Sequence, residues 1–293
     1  MRRILSLSFY DLPSNLKTCF LYLSVYPEDS EIKVDELIWT WAAEGFIHVK
    51  HGQGIRELGH SYFIELINRS MIQPAYILRD GRIWTCRVHD MVLDLIRALS
   101  VDENFVTILD DEQYKPLPKK MRRLSIQKSN SDDKVRYPTM SFSQIRSLAA
   151  FSHINQVPSL KIFHVLRVLN LRRCEYIENC HLHVLVHLVH LRYVGLGSTR
   201  ITDLPEQIRN LQFLQTLNVR CPQIRQLPAG IIELTRLIRL HVDFPVLLPD
   251  GFGNMRCLQE LSSQCDDSGG GGCRGCHQER SRNPSQPSQT FDG

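Results

Sequence analysis

The spacing of apolar and polar residues divides the chain into two parts with different periods. Up to about residue 100, most apolar residues recur every three or four positions, which is the period of an amphipathic α-helix. Beyond residue 120 they follow the pattern LxxLxL, whose last two leucines alternate with other residues as in a strand with one buried face. The pattern predicts a mainly helical domain followed by a domain of repeating strands.

Seven segments carry the LxxLxL pattern. They begin at Met121, Ile145, Leu166, Leu191, Leu214, Leu237 and Leu258. From Ile145 onward the starts lie 21, 25, 23, 23 and 21 residues apart, within the period of about 20 to 29 residues that is typical of leucine-rich repeats. Leu-Pro pairs at Leu204 and Leu227 supply apolar residues for the opposite side of each coil. The segments are therefore predicted to stack into a curved solenoid with a shared apolar interior.

The strand positions between the inward leucines should line the concave surface of this solenoid. They carry Asn170, Arg172, Tyr193, Thr216, Asn218, Arg220, Arg239, His241 and Asp243. Solenoids bind partners on such surfaces, and this mixture of side chains favours a protein partner over a nucleic acid. The alternative is that these residues are only solvated.

The first hundred residues are predicted to form a winged helix. Apolar stripes indicate helices at about 12–25, at 34–44 before Gly45, and at 55–67. Two strands, near 71–78 and 83–88, flank the turn Asp80-Gly81, and a fourth helix opens at His89-Asp90. The acidic, proline-containing stretch from Ser100 to about Pro118 is expected to be a connector.

Composition limits the classes of protein that the chain can represent. Its 293 residues are 43% hydrophobic with a formal net charge of +4, which suits one or two globular domains and does not favour nucleic acid or an anionic membrane. Nine cysteines, scattered among apolar segments, indicate a reducing compartment. No stretch is long enough for a secretory signal or a membrane span, so we expect a cytoplasmic, soluble protein.

Three segments resemble a known family. LPSNLKTCFLYLSVYPED at 12–29, LIWTWAAEGF at 37–46 and Val88-His89-Asp90 are similar to the winged-helix (second ARC) subdomain of plant intracellular nucleotide-binding, leucine-rich-repeat immune receptors. The likeness is greatest to cereal members with an N-terminal coiled coil, and it spans about residues 4–262. The resemblance implies an α+β protein with a winged helix at 1–110 and leucine-rich repeats at 111–265. The low-complexity composition of 266–293 predicts a disordered tail.

The resemblance also implies a nucleotide contact at Val88-His89-Asp90, which occupies the place of the family's MHD motif, with valine instead of methionine. His89 is expected to contact the β-phosphate of ADP in an intact receptor, and a helix start favours phosphate there. Asp90 should instead cap the helix or pair with a basic residue. The alternative is that the motif is only a helix start.

The chain lacks a GxxxxGK[ST] phosphate loop. We therefore expect a fragment of a receptor that binds no cofactor tightly by itself, although the intact family uses ADP and ATP. It should have no catalytic residue and no enzymatic activity. Its implied partners are a pathogen effector or guarded host protein at the repeats, and the nucleotide-binding domain of an intact receptor. The alternative is a repeat-containing adaptor or decoy without nucleotide switching.

Two other kinds of site are disfavoured. The third helix carries glutamates beside its arginines, which argues against the DNA binding common among winged helices. His181, His183, His187 and His190 lack the glutamate of a zinc-protease motif, and Cys273, Cys276 and His277 lie in a Gly/Ser-rich tail that cannot enclose haem. We expect no metal site.

Overall fold

The chain is described from a computed structural model. The described residues are 7–49, 53–109, 120–127, 142–151, 158–172, 174, 176–243, 245–262 and, for the backbone only, 263–264 and 280–281. Within these ranges, no helix is long and apolar enough to cross a membrane. Cys273, Cys276 and His277, and the predicted tail apart from 280–281, lie outside the described residues.

The N-terminal part is a winged helix, as predicted. Its helices are α1 (Ser14–Tyr22), α2 (Val34–Glu44), α3 (Ile55–Asn68) and α4 (Asp90–Asp102). Its strands are β1 (Ile32–Lys33), β2 (Gln73–Ile77) and β3 (Ile83–Arg87), which form an antiparallel sheet in the order β1-β3-β2. Strand β1 was not predicted, because two residues are too few to show a period.

Local sequence explains where these elements end. Pro13 caps α1 with φ −55°, a backbone angle that the proline ring favours. Gly45 ends α2 in the left-handed region with φ +84°, where residues with a Cβ are strained. Gly81 has the same φ of +84° in the β2–β3 turn. These are the positions at which the sequence predicted a break.

The C-terminal part is a parallel sheet of the leucine-rich repeat kind. Its strands are β4 (Thr107–Leu109), β5 (Arg123–Ile126), β6 (Ser147–Ala150), β7 (Val168–Asn170), β8 (Tyr193–Gly195), β9 (Thr216–Val219), β10 (Arg239–Asp243) and β11 (Glu260–Gln264). A short strand, β12 (Arg280–Ser281), pairs antiparallel with β11. Each inward leucine lies beside the same position of the next coil, as in Leu217 beside Leu240.

The repeat sheet begins earlier than predicted. The segment 100–118 was expected to be a connector, and the repeats were expected from residue 111. However, α4 continues to Asp102, and β4 pairs in parallel with β5, Thr107 lying beside Leu124. A three-residue strand without the LxxLxL pattern gives no period, so the first coil was not recognised.

The convex side is formed by short helical turns that cover the leucine interior. The Leu-Pro units form 3-10 helices at Glu206–Asn210 and Ala229–Glu233. The histidine-containing unit instead forms helix α5 (Asn179–Leu185), with Leu182 and Leu185 buried. Leucines from both sides of each coil therefore belong to one continuous core.

Candidate functional site

Helix α2 of the winged helix lies on the concave face of the repeat sheet. Trp39 and Ala43 form a small buried cluster with Val168 of β7 and Tyr193 of β8. Tyr193 is only 1% exposed, and burial raises the pKa of its hydroxyl far above the ordinary value. The apolar part of this contact thus excludes water from the middle of the concave surface.

An acidic side chain beside this cluster meets two repeat residues. Glu36 of α2 forms an ion pair with Arg172, and it accepts a hydrogen bond of 3.3 Å from the Asn218 side chain. The charge of Glu36 raises the pKa of Arg172. Because Arg172 and Asn218 lie in different repeats, one carboxylate holds two coils against the winged helix.

Asp35 makes a second acidic contact. Its carboxylate lies 3.8 Å from the Arg239 guanidinium of β10, 3.4 Å from Arg56 and 3.5 Å from His60. Burial alone would raise the pKa of Asp35, but the hydrogen bond with His60 and the charges of Arg239 and Arg56 hold it well below the ordinary value. The carboxylate therefore stays charged at neutral pH.

Arg239 is the most enclosed charged residue of the interface. It is 1% exposed, its Nε donates to Glu260 at 2.7 Å, and its guanidinium carbon lies 4.9 Å from the centre of the Trp39 ring. His241, two residues further along β10, accepts a hydrogen bond of 3.1 Å at Nδ1 from Arg220. A polar layer therefore borders the apolar cluster.

The first coils of the repeat sheet are joined to the winged helix by a separate set of contacts. Arg123 of β5 donates to Glu44 at the end of α2 at 2.9 Å, and its guanidinium lies 4.1 Å from the centre of the Phe105 ring. The Ser125 hydroxyl donates to the Val25 carbonyl at 2.6 Å. The winged helix is therefore held at both ends of α2.

This arrangement changes the interpretation of the predicted partner surface. Of the nine predicted residues, six are buried: Asn170, Tyr193, Thr216, Asn218, Arg239 and His241. Arg172, Arg220 and Asp243 are half-buried. We expected an accessible face, but the chain's own α2 lies against it. Partner binding by these nine residues stays a prediction, and in this conformation a partner would have to displace α2.

His89 occupies the start of α4, as predicted, and it caps the helix. Its Nδ1 accepts a hydrogen bond of 3.3 Å from the Met91 amide, and its carbonyl accepts from the amides of Val92 and Leu93. A neutral imidazole that accepts at Nδ1 carries its proton on Nε2. The exposed His89 ring therefore offers one N–H donor beside the positive end of a helix, which suits a phosphate oxygen.

The two neighbours of His89 have different surroundings. Val88 is buried in the winged-helix core, so it anchors the motif. Asp90 is exposed in the first turn of α4, where a negative charge is favourable. We expected Asp90 to cap the helix or to pair with a basic residue. The cap is His89 instead, because its side chain lies one position earlier, where it can reach the Met91 amide.

The sequence missed Asp35, Glu36, Trp39 and Glu44, which carry the α2 side of the interface. One signal was available. The predicted stripe of α2 consists of Val34, Leu37, Ile38 and Trp41, and Trp39 lies off that stripe. A tryptophan outside the core-facing stripe indicates a second packing surface.

The histidine cluster shows no metal geometry. His181 takes part in the capping box at the start of α5, where its Nδ1 accepts from the Glu178 amide at 3.2 Å. No group of three potential metal ligands occurs among the described residues. The expectation of no metal site stays a prediction.

Both parts of the chain match family models. Residues 25–96 match the disease resistance protein winged helix domain, and residues 144–270 match a leucine-rich repeat region. Each matched span falls on the corresponding part of the fold.

Curated plant proteins are similar to the chain over most of its length. Disease resistance protein Pik-2 of rice, Oryza sativa subsp. japonica, is 34% identical over 81% of this chain and 24% of its own length. Disease resistance protein RGA5 of rice is 33% identical over 89% of this chain and 24% of its own length. The putative disease resistance RPP13-like protein 3 of Arabidopsis thaliana is 33% identical over 89% of this chain and 31% of its own length.

The chain thus spans about a quarter to a third of the length of these relatives, from 24% to 31%. At these lengths the similarity extends over parts of both the winged helix and the repeats. With its winged helix and its repeat region, the chain belongs to the plant disease resistance proteins.

Proposed function

We propose that the chain is the regulatory and recognition part of a plant immune receptor. In this proposal the winged helix senses ADP through His89, together with a nucleotide-binding domain, and the repeats bind a pathogen effector or a guarded host protein. The observation that supports it most directly is the docking of α2 on the concave face through Glu36, Asp35 and Trp39. That contact links the nucleotide-sensing domain to the recognition surface.

The interface suggests how recognition and switching would be coupled. A partner that binds Arg172, Asn218 or Arg239 competes with α2 for the same side chains. Its binding would therefore favour a conformation in which the winged helix is released from the repeats. The free-energy shift of this equilibrium equals the difference between the partner's binding free energies for the released and the docked conformation. The chain acts in this scheme as a binding module of the cytoplasm and not as an enzyme.

The nucleotide part of the proposal depends on a domain that supplies a phosphate loop. His89 and the α4 start offer one side-chain donor and one helix terminus, which is only part of a nucleotide pocket. We expect the purified chain to bind ADP no more tightly than the millimolar range. Low-micromolar or tighter ADP binding by the chain alone would contradict the proposal that a separate domain supplies most of the nucleotide pocket.

The test of His89 uses the chain combined with the nucleotide-binding domain of a related receptor. His89→Ala should raise the ADP dissociation rate by about tenfold, which corresponds to one lost hydrogen bond to phosphate. His187→Ala is the matched control, because His187 is exposed on the repeats far along the chain from the motif. An ADP dissociation rate that His89→Ala leaves unchanged would remove the proposed contact.

The adaptor or decoy alternative predicts a different outcome. Without nucleotide switching, neither ADP nor His89→Ala would alter how the repeats contact α2. Hydrogen exchange of the α2 amides, measured on the combined protein with and without ADP, separates the two functions. Slower exchange with ADP supports the receptor, and identical exchange supports the adaptor.

A further inference from the structure

A row of arginines crosses the first repeats outside the α2 interface. Arg122, Arg146, Arg167 and Arg192 each occupy the second position of LxxLxL in successive coils. The amide of each later member donates to the carbonyl of the one before it, at 2.7, 2.7 and 2.8 Å. Since adjacent strands lie about 4.8 Å apart, the four residues span about 14 Å along the sheet edge.

These four arginines differ in their partners from four other arginines of the repeats. Arg123, Arg172, Arg209 and Arg239 each pair with a glutamate. In the described part of the chain, no carboxylate lies within salt-bridge distance of Arg122, Arg146, Arg167 or Arg192. Arg122 and Arg146 are exposed, and Arg167 and Arg192 are half-buried, so their charges face solvent without compensation.

The row borders an open groove that offers further hydrogen-bond donors. Three of the arginines line it, together with Gln144 and His190. Burial and the charges of Arg167, Arg122 and Arg123 lower the pKa of Arg146, as expected where like charges lie close together. Such crowding is unfavourable in the free protein, and a bound anion would relieve it.

We propose that this arginine row is a binding site for a compact polyphosphate, a small molecule that carries several phosphate groups close together. Charge density favours phosphates over carboxylates. An α-helix presents side chains to one face about every 6 Å and an extended peptide about every 7 Å, so acidic peptides supply about one charge per 6 Å. A phosphate carries about −1.5 to −2 charges and three acceptor oxygens, so two arginines on adjacent strands, whose backbones lie about 4.8 Å apart, can share it.

A nucleic acid fits the groove less well. Single strands bind through bases stacked on aromatic rings as well as through phosphates. Among the described residues that line the groove there is no phenylalanine, tyrosine or tryptophan. The groove therefore offers contacts for phosphate groups but no stacking surface for bases.

The test is calorimetric titration of the whole chain with inositol hexakisphosphate as the probe, at low ionic strength. We expect micromolar binding that Arg146→Gln/Arg167→Gln weakens by at least about tenfold, because two charge-assisted contacts are lost. Arg225→Gln/Arg256→Gln removes the same charge from exposed arginines outside the row, and it should change the affinity by less than about twofold. Arg146→Lys/Arg167→Lys keeps the charge but not the forked geometry, and it should weaken binding by an intermediate factor.

Three results would overturn the proposal. The first is that Arg146→Gln/Arg167→Gln binds the probe as tightly as the unmodified chain does, when this variant and the control variant have the same melting temperature. The second is equal affinity for inorganic phosphate, since the row would then recognise any anion. The third is tighter binding of a glutamate-rich peptide, or of a single-stranded oligonucleotide, of the same total charge.

Discussion

Arg239 lies over the ring of Trp39, with 4.9 Å between its guanidinium carbon and the ring centre. The two residues come from different domains, since Trp39 belongs to α2 and Arg239 to β10. Arg239 is also held by two hydrogen bonds to Glu260, at 2.7 and 2.5 Å. A buried charge is tolerated only when it is paired, so Glu260 makes Arg239 available for the stacking contact. The repeats thus prepare a surface that fits one helix of the winged helix.

The ion pair between Glu36 and Arg172 should contribute measurably to stability. Glu36→Gln leaves Arg172 without its carboxylate, and the two side chains are only 13% and 26% exposed. We expect the free energy of unfolding to fall by about 2 kcal/mol, less than for a fully buried pair because water still reaches Arg172. Urea unfolding followed by tryptophan fluorescence measures this change.

Two further variants isolate the Glu36–Arg172 pair. Arg172→Met removes the unpaired charge, so Glu36→Gln/Arg172→Met should be less destabilised than the sum of the single variants. Glu31→Gln is the control, because its pair with Arg87 is exposed at both ends and should contribute less than about 1 kcal/mol. Additive effects at Glu36 and Arg172 would show that the pair does not act as a unit.

The inward leucines should hold neighbouring coils together. Leu217 is 0% exposed and lies between Val194 and Leu240 in the ladder of strands. Leu217→Asp buries a carboxylate in this core, and we expect a loss of at least about 4 kcal/mol in the free energy of unfolding. Hydrogen exchange should show the greatest loss of protection in β8, β9 and β10.

Leu248→Asp makes the same change at a side chain that is 42% exposed. It should leave both the stability and the exchange pattern close to those of the unmodified chain. If Leu217→Asp accelerated exchange equally in α1 and in β9, the coils would not open locally and the chain would unfold as one unit.

The periodic parts of the fold could be predicted from the sequence because each residue's face follows from its position alone. The LxxLxL segments predicted the strands from β5 to β11, and the stripes of α2 and α3 predicted helices with the observed starts. Strands β1 and β4 could not be predicted, since two or three residues carry no period. His89 was placed correctly at a helix start, but the cap was assigned to Asp90, because which side chain reaches an amide depends on backbone angles.

The interface between α2 and the repeats could not be predicted in the same way. Asn218 and Glu36 are 182 residues apart, and their contact exists only because two domains pack at a particular angle. Alternation correctly assigned Tyr193, Thr216 and Arg239 to the concave face. The alternation does not show whether that face contacts solvent, a partner or another part of the chain, because the same mixture of side chains occurs in all three cases.

Gly59 should be required by the packing of α3 on α2. A glycine within a helix is usually less stable than alanine by about 1 kcal/mol. At this position, however, an added Cβ would lie 2.3 Å from Cγ2 of Ile38 and 3.0 Å from Cδ1 of Ile47. We therefore expect Gly59→Ala to lower the free energy of unfolding by about 1 to 3 kcal/mol, because Ile38 is β-branched and cannot rotate away freely.

The control for Gly59→Ala is Gly253→Ala, where an added Cβ meets no atom within 4 Å. It should change the melting temperature little. The double variant Ile38→Ala/Gly59→Ala removes the 2.3 Å contact with Cγ2 of Ile38. Its loss of stability should therefore be smaller than the sum of the losses in the two single variants. A stabilising Gly59→Ala would mean that α3 can move away from α2 at little cost.

His241 should make the chain less stable in mild acid. Burial, followed by the charges of Arg239 and Arg220, lowers the pKa of His241 well below its ordinary value of 6.5, and Arg220 donates to its Nδ1. Above pH 6.5 the histidine is neutral in both the folded and the unfolded chain. Below that pH only the unfolded chain takes up the proton, so the folded state loses stability as the pH falls.

For one such group the expected loss between pH 7 and pH 5.5 is about 1 kcal/mol. His241→Asn should remove this part of the pH dependence of urea unfolding, whereas His187→Asn, at an exposed position, should leave it unchanged. Asp35 also faces His241, but its low pKa keeps it charged throughout this range, so it does not contribute to the slope. The same slope in His241→Asn and the unmodified chain would show that His241 takes up a proton without leaving the interface.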